Sequence, residues 1–164
     1  MLSSVSISVD APPELVFRLA RPVERWAALL PHYARSRVVR TLAGGGLVVA
    51  FVARRPLPGL PGLELPVAWR ARTWSNPDSR QLRFVHVAGP TKGMDVTWRI
   101  ESAGSSTRVT IEHDFRPRLP GFARFVDRFF TGPIARRTLA TFKAIAESIQ
   151  EIESAAAPQA KKPV

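Results

Sequence analysis

The chain has 164 residues, 45% of them hydrophobic and 23% charged, the size and balance of one globular domain with a single core. It contains no cysteine, which excludes disulfide frameworks, thiolate metal sites and cysteine nucleophiles. The formal net charge of +11 suits an anionic partner or reflects a plain excess of arginine; the arginines are scattered without a nucleic-acid motif, so no nucleic acid is expected.

Residues 3–9 alternate, Val5, Ile7 and Val9 against Ser4, Ser6 and Ser8, and predict a half-buried first strand. Asp10 is placed to cap a short helix that starts with Pro12, Pro13 and Glu14 and is marked by Leu15, Val16 and Leu19. A second short helix carries Val23, Trp26, Leu29 and Leu30 and stops at Pro31. Strands follow at residues 35–42 and 47–54, joined by three glycines, and at 64–74, 80–87, 94–101 and 107–115. In 64–74, Leu65, Val67, Trp69, Ala71 and Thr73 share one face, and Arg70 and Arg72 face the other way. One polar face on nearly every strand implies an antiparallel sheet, solvated outside and covered inside. Residues 54–63, rich in proline and leucine, read as an apolar loop, either tucked over an apolar surface or offered to a partner. Residues 88–93 read as an ordinary hairpin turn.

The cover for the sheet is residues 121–153. Phe122, Phe125, Phe129, Leu139, Phe142, Ile145, Ile149 and Ile152 recur at three- and four-residue steps, the spacing of one helix face. Gly132-Pro133 interrupts this pattern and predicts a kink, or a short helix followed by a longer one. Residues 1–153 therefore form the domain, and 154–164 are expected to be a disordered tail. No stretch reaches the ~20 apolar residues of a membrane span, and the first residues lack a signal-peptide pattern, so a cytoplasmic protein is expected.

The order of elements and the phrases VDAPPELVF, ERWAALLPHY, VAGPTKGMDVTWRI and TRVTIEHDF resemble the polyketide cyclase/dehydrase branch of the START-like, helix-grip superfamily, over residues 4–153. The chain is also similar to the coenzyme Q-binding START-type subgroup. The resemblance implies an α+β helix-grip fold: a curved seven-stranded antiparallel sheet around a long C-terminal helix, with two short helices after strand 1 and an apolar cavity. It implies either cyclisation of an aromatic polyketide or non-catalytic carriage of a quinone or lipid, with an acyl carrier protein or an anionic membrane surface as partner. No cofactor and no metal are implied.

By this resemblance Tyr33 and His113 match pocket residues and are the candidates for catalysis, and Trp26, Trp69 and Trp98 match inward aromatic positions. Thr73, Phe84, His86, Met94, Phe129 and Phe142 complete the expected cavity wall. The alternative for each tryptophan is ordinary core packing, and for His86 and His113 a core imidazole satisfied by a neighbour. One departure matters. Cyclases of this family place an inward arginine four residues beyond the strand tryptophan, where this chain has Thr73. Arg70 and Arg72 have the wrong phase to replace it.

Overall fold

A computed structural model of the chain describes residues 1–57, 59–60 and 62–156. Seven strands form one antiparallel sheet: β1 (Leu2–Val9), β2 (Tyr33–Thr41), β3 (Leu47–Pro56), β4 (Glu64–Asn76), β5 (Gln81–Ala88), β6 (Asp95–Ala103) and β7 (Ser106–Asp114). Their order is β1-β7-β6-β5-β4-β3-β2, so β2 to β7 form a meander and β1 adds to its far edge. Between β1 and β2 the chain must cross from one edge to the other. It does so through α1 (Pro13–Ala20), a 3₁₀ turn (Val23–Arg25) and α2 (Trp26–Leu29), whose buried faces join the core.

Alternation works as the pattern requires. Val49, Phe51 and Ala53 on β3, Leu82, Phe84 and His86 on β5, and Val109, Ile111 and His113 on β7 are all buried, whereas Arg70 and Arg72 are exposed. Register shifts between Tyr33 and Arg35, Val38 and Arg40, and Arg70 and Ala71 bend the strands. Bulges of this kind increase local twist, which lets the sheet curve around a helix. Gly89, in the β5–β6 turn, has φ +96°, and a Cβ there would meet the Ala68 carbonyl oxygen at 2.5 Å. Only glycine lets that turn lie so close to β4.

The C-terminal segment lies across the concave face. It consists of α3 (Phe122–Val126), a π-helical turn (Asp127–Thr131) and α4 (Gly132–Ala156). The interruption predicted at Gly132-Pro133 is thus a widened turn just ahead of it. Pro133 cannot donate a backbone hydrogen bond, and Gly132 N–H donates instead to Asp127, five residues back. The widening needs Gly132, because a Cβ there would sit 2.8 Å from the Asp127 carbonyl oxygen. Leu139, Phe142 and Ala146 bury the α4 stripe, which contacts β1, β3 and α1.

Three local expectations are corrected. Asp10 does not cap α1: Pro12 holds the cap position without a side-chain bond, and the Asp10 backbone N–H donates to Glu147 Oε1 at 2.7 Å. Ile152, assigned to the helix stripe, is 67% exposed. The helix continues through 154–156, and the remainder of the expected tail, 157–164, lies outside the described residues. Of the two readings left open for the loop between β3 and β4, Leu60 and Leu63 follow the exposed one.

Candidate functional site

An apolar cavity lies between the sheet and the C-terminal segment. It encloses about 610 Å³ of empty space, its opening to solvent included. The room left inside for even small molecules is far less, because aromatic rings crowd the interior. Trp26 stands at the centre, with ring centroids of Tyr33, Phe84, Trp98 and Phe142 between 5.2 and 5.9 Å away. Its Nε1–H donates to the Ala20 carbonyl at 2.9 Å, which satisfies the one polar atom of a buried indole. Phe51 stacks on Trp69 at 5.3 Å, and Trp69 stacks on His86 at 5.9 Å.

Of the residues expected in the wall, Trp26, Tyr33, Trp69, Phe84, His86, Trp98 and His113 line this cavity together. Four do not. Thr73 is buried opposite Phe84 on the β4–β5 ladder, Met94 is fully buried beneath the β5–β6 turn, and Phe142 packs behind Trp26 and Trp98. Phe129 is 38% exposed, and Phe130 lines the cavity in its place. The π turn explains the exchange. It holds more residues per turn than an α-helix, so a stripe extrapolated at 3.6 residues slips.

Polar groups reach the cavity at few points. Tyr33 is buried, and desolvation pushes its phenol up, while the Thr138 hydroxyl nearby works the other way. It therefore remains a protonated donor across the physiological range. His86 Nδ1 hydrogen-bonds with Thr91 Oγ1 at 2.6 Å, and Thr91 also lines the cavity. Burial, with a smaller contribution from the nearby His113, lowers the His86 pKa to about 3. Burial lowers His113 to about 4 against the opposing pull of the Asp127 carboxylate. Both imidazoles are neutral at pH 7, and His113 Nδ1 is buried with no partner among the described residues. His32, behind Tyr33, hydrogen-bonds with Thr138 Oγ1 at 2.9 Å; burial and then Arg137 lower it to about 4.

Among the residues that sequence reasoning missed here are Thr91, Phe130 and Arg55. Thr91 sits in a segment read only as an ordinary hairpin turn. Phe130 was hidden by the π turn. Arg55 is the third: it is buried on the inward face of β3, in phase with Val49, Phe51 and Ala53. The signal was present, since extending the alternation of β3 by one step finds it.

The profile of the polyketide cyclase/dehydrase and lipid transport family matches residues 2–147. The chain belongs to this family. Among solved structures it is similar to the Zhui aromatase/cyclase from Streptomyces sp. R1128, at 19% identity over 98% of this chain and 99% of that one, with TM-score 0.69. A START superfamily protein from Mycobacterium smegmatis matches at 13% identity, 90% and 98% coverage and TM-score 0.67. The di-domain ARO/CYC BexL from the BE-7585A biosynthetic pathway matches at 23% identity and TM-score 0.67, with 96% of this chain covering 48% of that protein. No curated protein matches. At these identities the likeness is one of fold, and the fold is the family's helix-grip architecture with a site for a hydrophobic small molecule. Among the described residues no helix is long and apolar enough to cross a membrane, and no three His, Asp or Glu side chains gather as metal ligands.

Proposed function

We propose that the protein binds an aromatic or polycyclic polyketide in the cavity and guides its cyclisation or dehydration. The observation that carries this is the cavity's make-up: stacked aromatic walls whose lining includes the protonated Tyr33 phenol and the His113 imidazole, with its Nδ1 unpartnered among the described residues. Aromatic walls hold a flat, unsaturated chain folded. The Tyr33 phenol donates to a ligand carbonyl oxygen and makes its carbon electrophilic, and an enol carbon elsewhere in the same chain attacks it. The enol O–H proton passes to water at the cavity's opening as the carbon–carbon bond forms, the new alkoxide takes the Tyr33 proton, which water restores, and loss of that hydroxyl with a proton from the adjacent carbon releases water. His113 contributes a hydrogen bond to the ligand through Nδ1 rather than a strong base, since its pKa of about 4 leaves little basicity. The family match and the Zhui likeness support this reading. The cationic surface suits an acidic acyl carrier protein as the delivering partner in the cytoplasm.

One observation favours a second reading, a non-catalytic quinone or lipid carrier at an anionic membrane surface. Among the described residues no carboxylate or lysine lines the aromatic cavity, and both of its histidines are held neutral, so no lining side chain changes its charge near pH 7. The exposed Leu60, Leu63 and Leu65 near scattered arginines suit such a surface. Reconstitution with a minimal polyketide synthase separates the two. Tyr33→Phe and His113→Gln are expected to change the product distribution; products unchanged by both variants would leave carriage as the reading.

A further inference from the structure

A second cleft adjoins the π turn, lined by Arg55, Asp127, Arg128, Phe129 and Arg136. Its chemistry is opposite to that of the aromatic cavity, yet the two share a wall. Phe130 lines the cavity, and the Arg55 guanidinium carbon lies 5.8 Å from its ring centroid and 5.7 Å from that of Phe129. Thr131 also lines the cavity, and its hydroxyl donates to Asp127 Oδ1 at 3.1 Å in the cleft.

Arg55 is the unusual member. It is 7% exposed, and among the described residues its Nε has no hydrogen-bond partner and no carboxylate lies within 4 Å of its guanidinium nitrogens. Burying a guanidinium without a counter-charge is costly, and stacking on two phenyl rings offsets only part of that cost. Arg128 and Arg136 face the same cleft, are exposed, and likewise lack a paired carboxylate among the described residues. Gly132 has no side chain to block Arg136, whose guanidinium nitrogen reaches within 3.2 Å of where a Cβ would stand. Asp127 is the one acid lining the cleft among the described residues. It accepts hydrogen bonds from Ser3 Oγ at 2.7 Å and from Thr131, and one carboxylate against three guanidiniums leaves the cleft positive. A buried, forked donor flanked by two exposed ones suits a planar or tetrahedral oxyanion.

We propose that Arg55, Arg128 and Arg136 form an anion site continuous with the aromatic cavity, so that the ligand is an amphiphile with an apolar body and a carboxylate or phosphate head. The body lies among the rings, and the head passes the π turn to meet Arg55. This rests on the reading of the cavity as a hydrophobic ligand site, and it adds the charge that the ligand carries.

Calorimetric titration of the full chain with dodecanol, dodecanoate, dodecyl phosphate and inorganic phosphate tests it. At least one twelve-carbon anion is expected to bind roughly tenfold or more tighter than dodecanol, the range of a charged hydrogen bond. Which head wins identifies the source as fatty-acid-like or phosphorylated. Arg55→Met keeps an apolar side chain against Phe130 and is expected to erase that preference. Arg55→Lys is expected to restore part of it. If Arg55→Met fails to fold, the double variant Arg128→Gln/Arg136→Gln, at exposed positions, is expected to reduce the preference. Equal binding of the alcohol and both anions overturns the anion site and leaves the cavity reading standing. Inorganic phosphate binding as tightly as dodecyl phosphate overturns the amphiphile. No binding of any twelve-carbon probe overturns the cavity reading and the anion site with it.

Discussion

The aromatic cavity and the arginine cleft lie on either side of one π-helical turn and follow opposite rules. In the cavity, rings touch rings, and the titratable groups are forced neutral: two imidazoles lowered to about 3 and about 4, and a phenol pushed up. In the cleft, three guanidiniums and one carboxylate face each other with space between them. The cavity comes from regular strands whose alternation fixes what points inward. The cleft comes from the place where regular helix breaks. Desolvation governs the first and unbalanced charge the second, so the two should respond differently to substitution and to pH.

The largest effect should come from the centre of the rings. Trp26→Ala removes a side chain that is 3% exposed and touches five other aromatic rings. A loss of about 3–5 kcal/mol is expected, read by denaturant unfolding. A loss below about 1 kcal/mol would mean that Trp26 is not the centre of the core.

Acid should act next, and through the cavity. His32, His86 and His113 have folded-state pKa values of about 4, about 3 and about 4, all below the ordinary 6.5. Below pH 6.5 the unfolded chain binds protons that the folded chain refuses. Stability is therefore full above about pH 6.5 and falls progressively as pH drops toward 4, by roughly a few kcal/mol in all. Unfolding curves taken across that range check it, and His86→Gln should flatten the dependence. Stability unchanged between pH 7 and pH 4.5 would contradict the neutral, desolvated imidazoles.

The boundary between the two regions can be tested directly. Gly132→Ala drives a Cβ against the Asp127 carbonyl at 2.8 Å and should cost about 1–3 kcal/mol by closing the π turn. A stabilising alanine, the normal result within an α-helix, would show that no widened turn exists there. The smallest effect belongs to the outer face. Arg83 holds Asp95 through two hydrogen bonds of 3.1 and 2.9 Å, but the pair is exposed, and Asp95→Asn should cost less than about 1 kcal/mol. Salt titration of that difference should shrink it further.

The same contrast explains what the sequence made legible. Strands and their inward faces followed from alternation, which put Trp69, Phe84, His86, Trp98 and His113 on inward faces, whereas Tyr33 was offered only by the family resemblance. Alternation tells inward from outward, but it does not tell lining from packing. Thr73, Met94 and Phe142 point inward, and neighbouring side chains cover them. At the π turn the helical period itself changes, so Phe129 and Phe130 exchange roles. Arg55 escaped because its segment looked like a proline-rich loop, although β3 runs on to Pro56. The arginine expected on β4 is absent, and an inward arginine is present on β3, next to the broken helix.

The central claim is that the space between sheet and helix takes up a hydrophobic small molecule, and native mass spectrometry of the freshly purified protein tests it most directly. A one-to-one complex is expected, co-purified or formed on adding a polycyclic polyphenol, together with its loss in Ala135→Phe, which fills the cavity from α4. A protein that carries nothing and takes up no such molecule, or a filled variant that binds as well as the original, would contradict it.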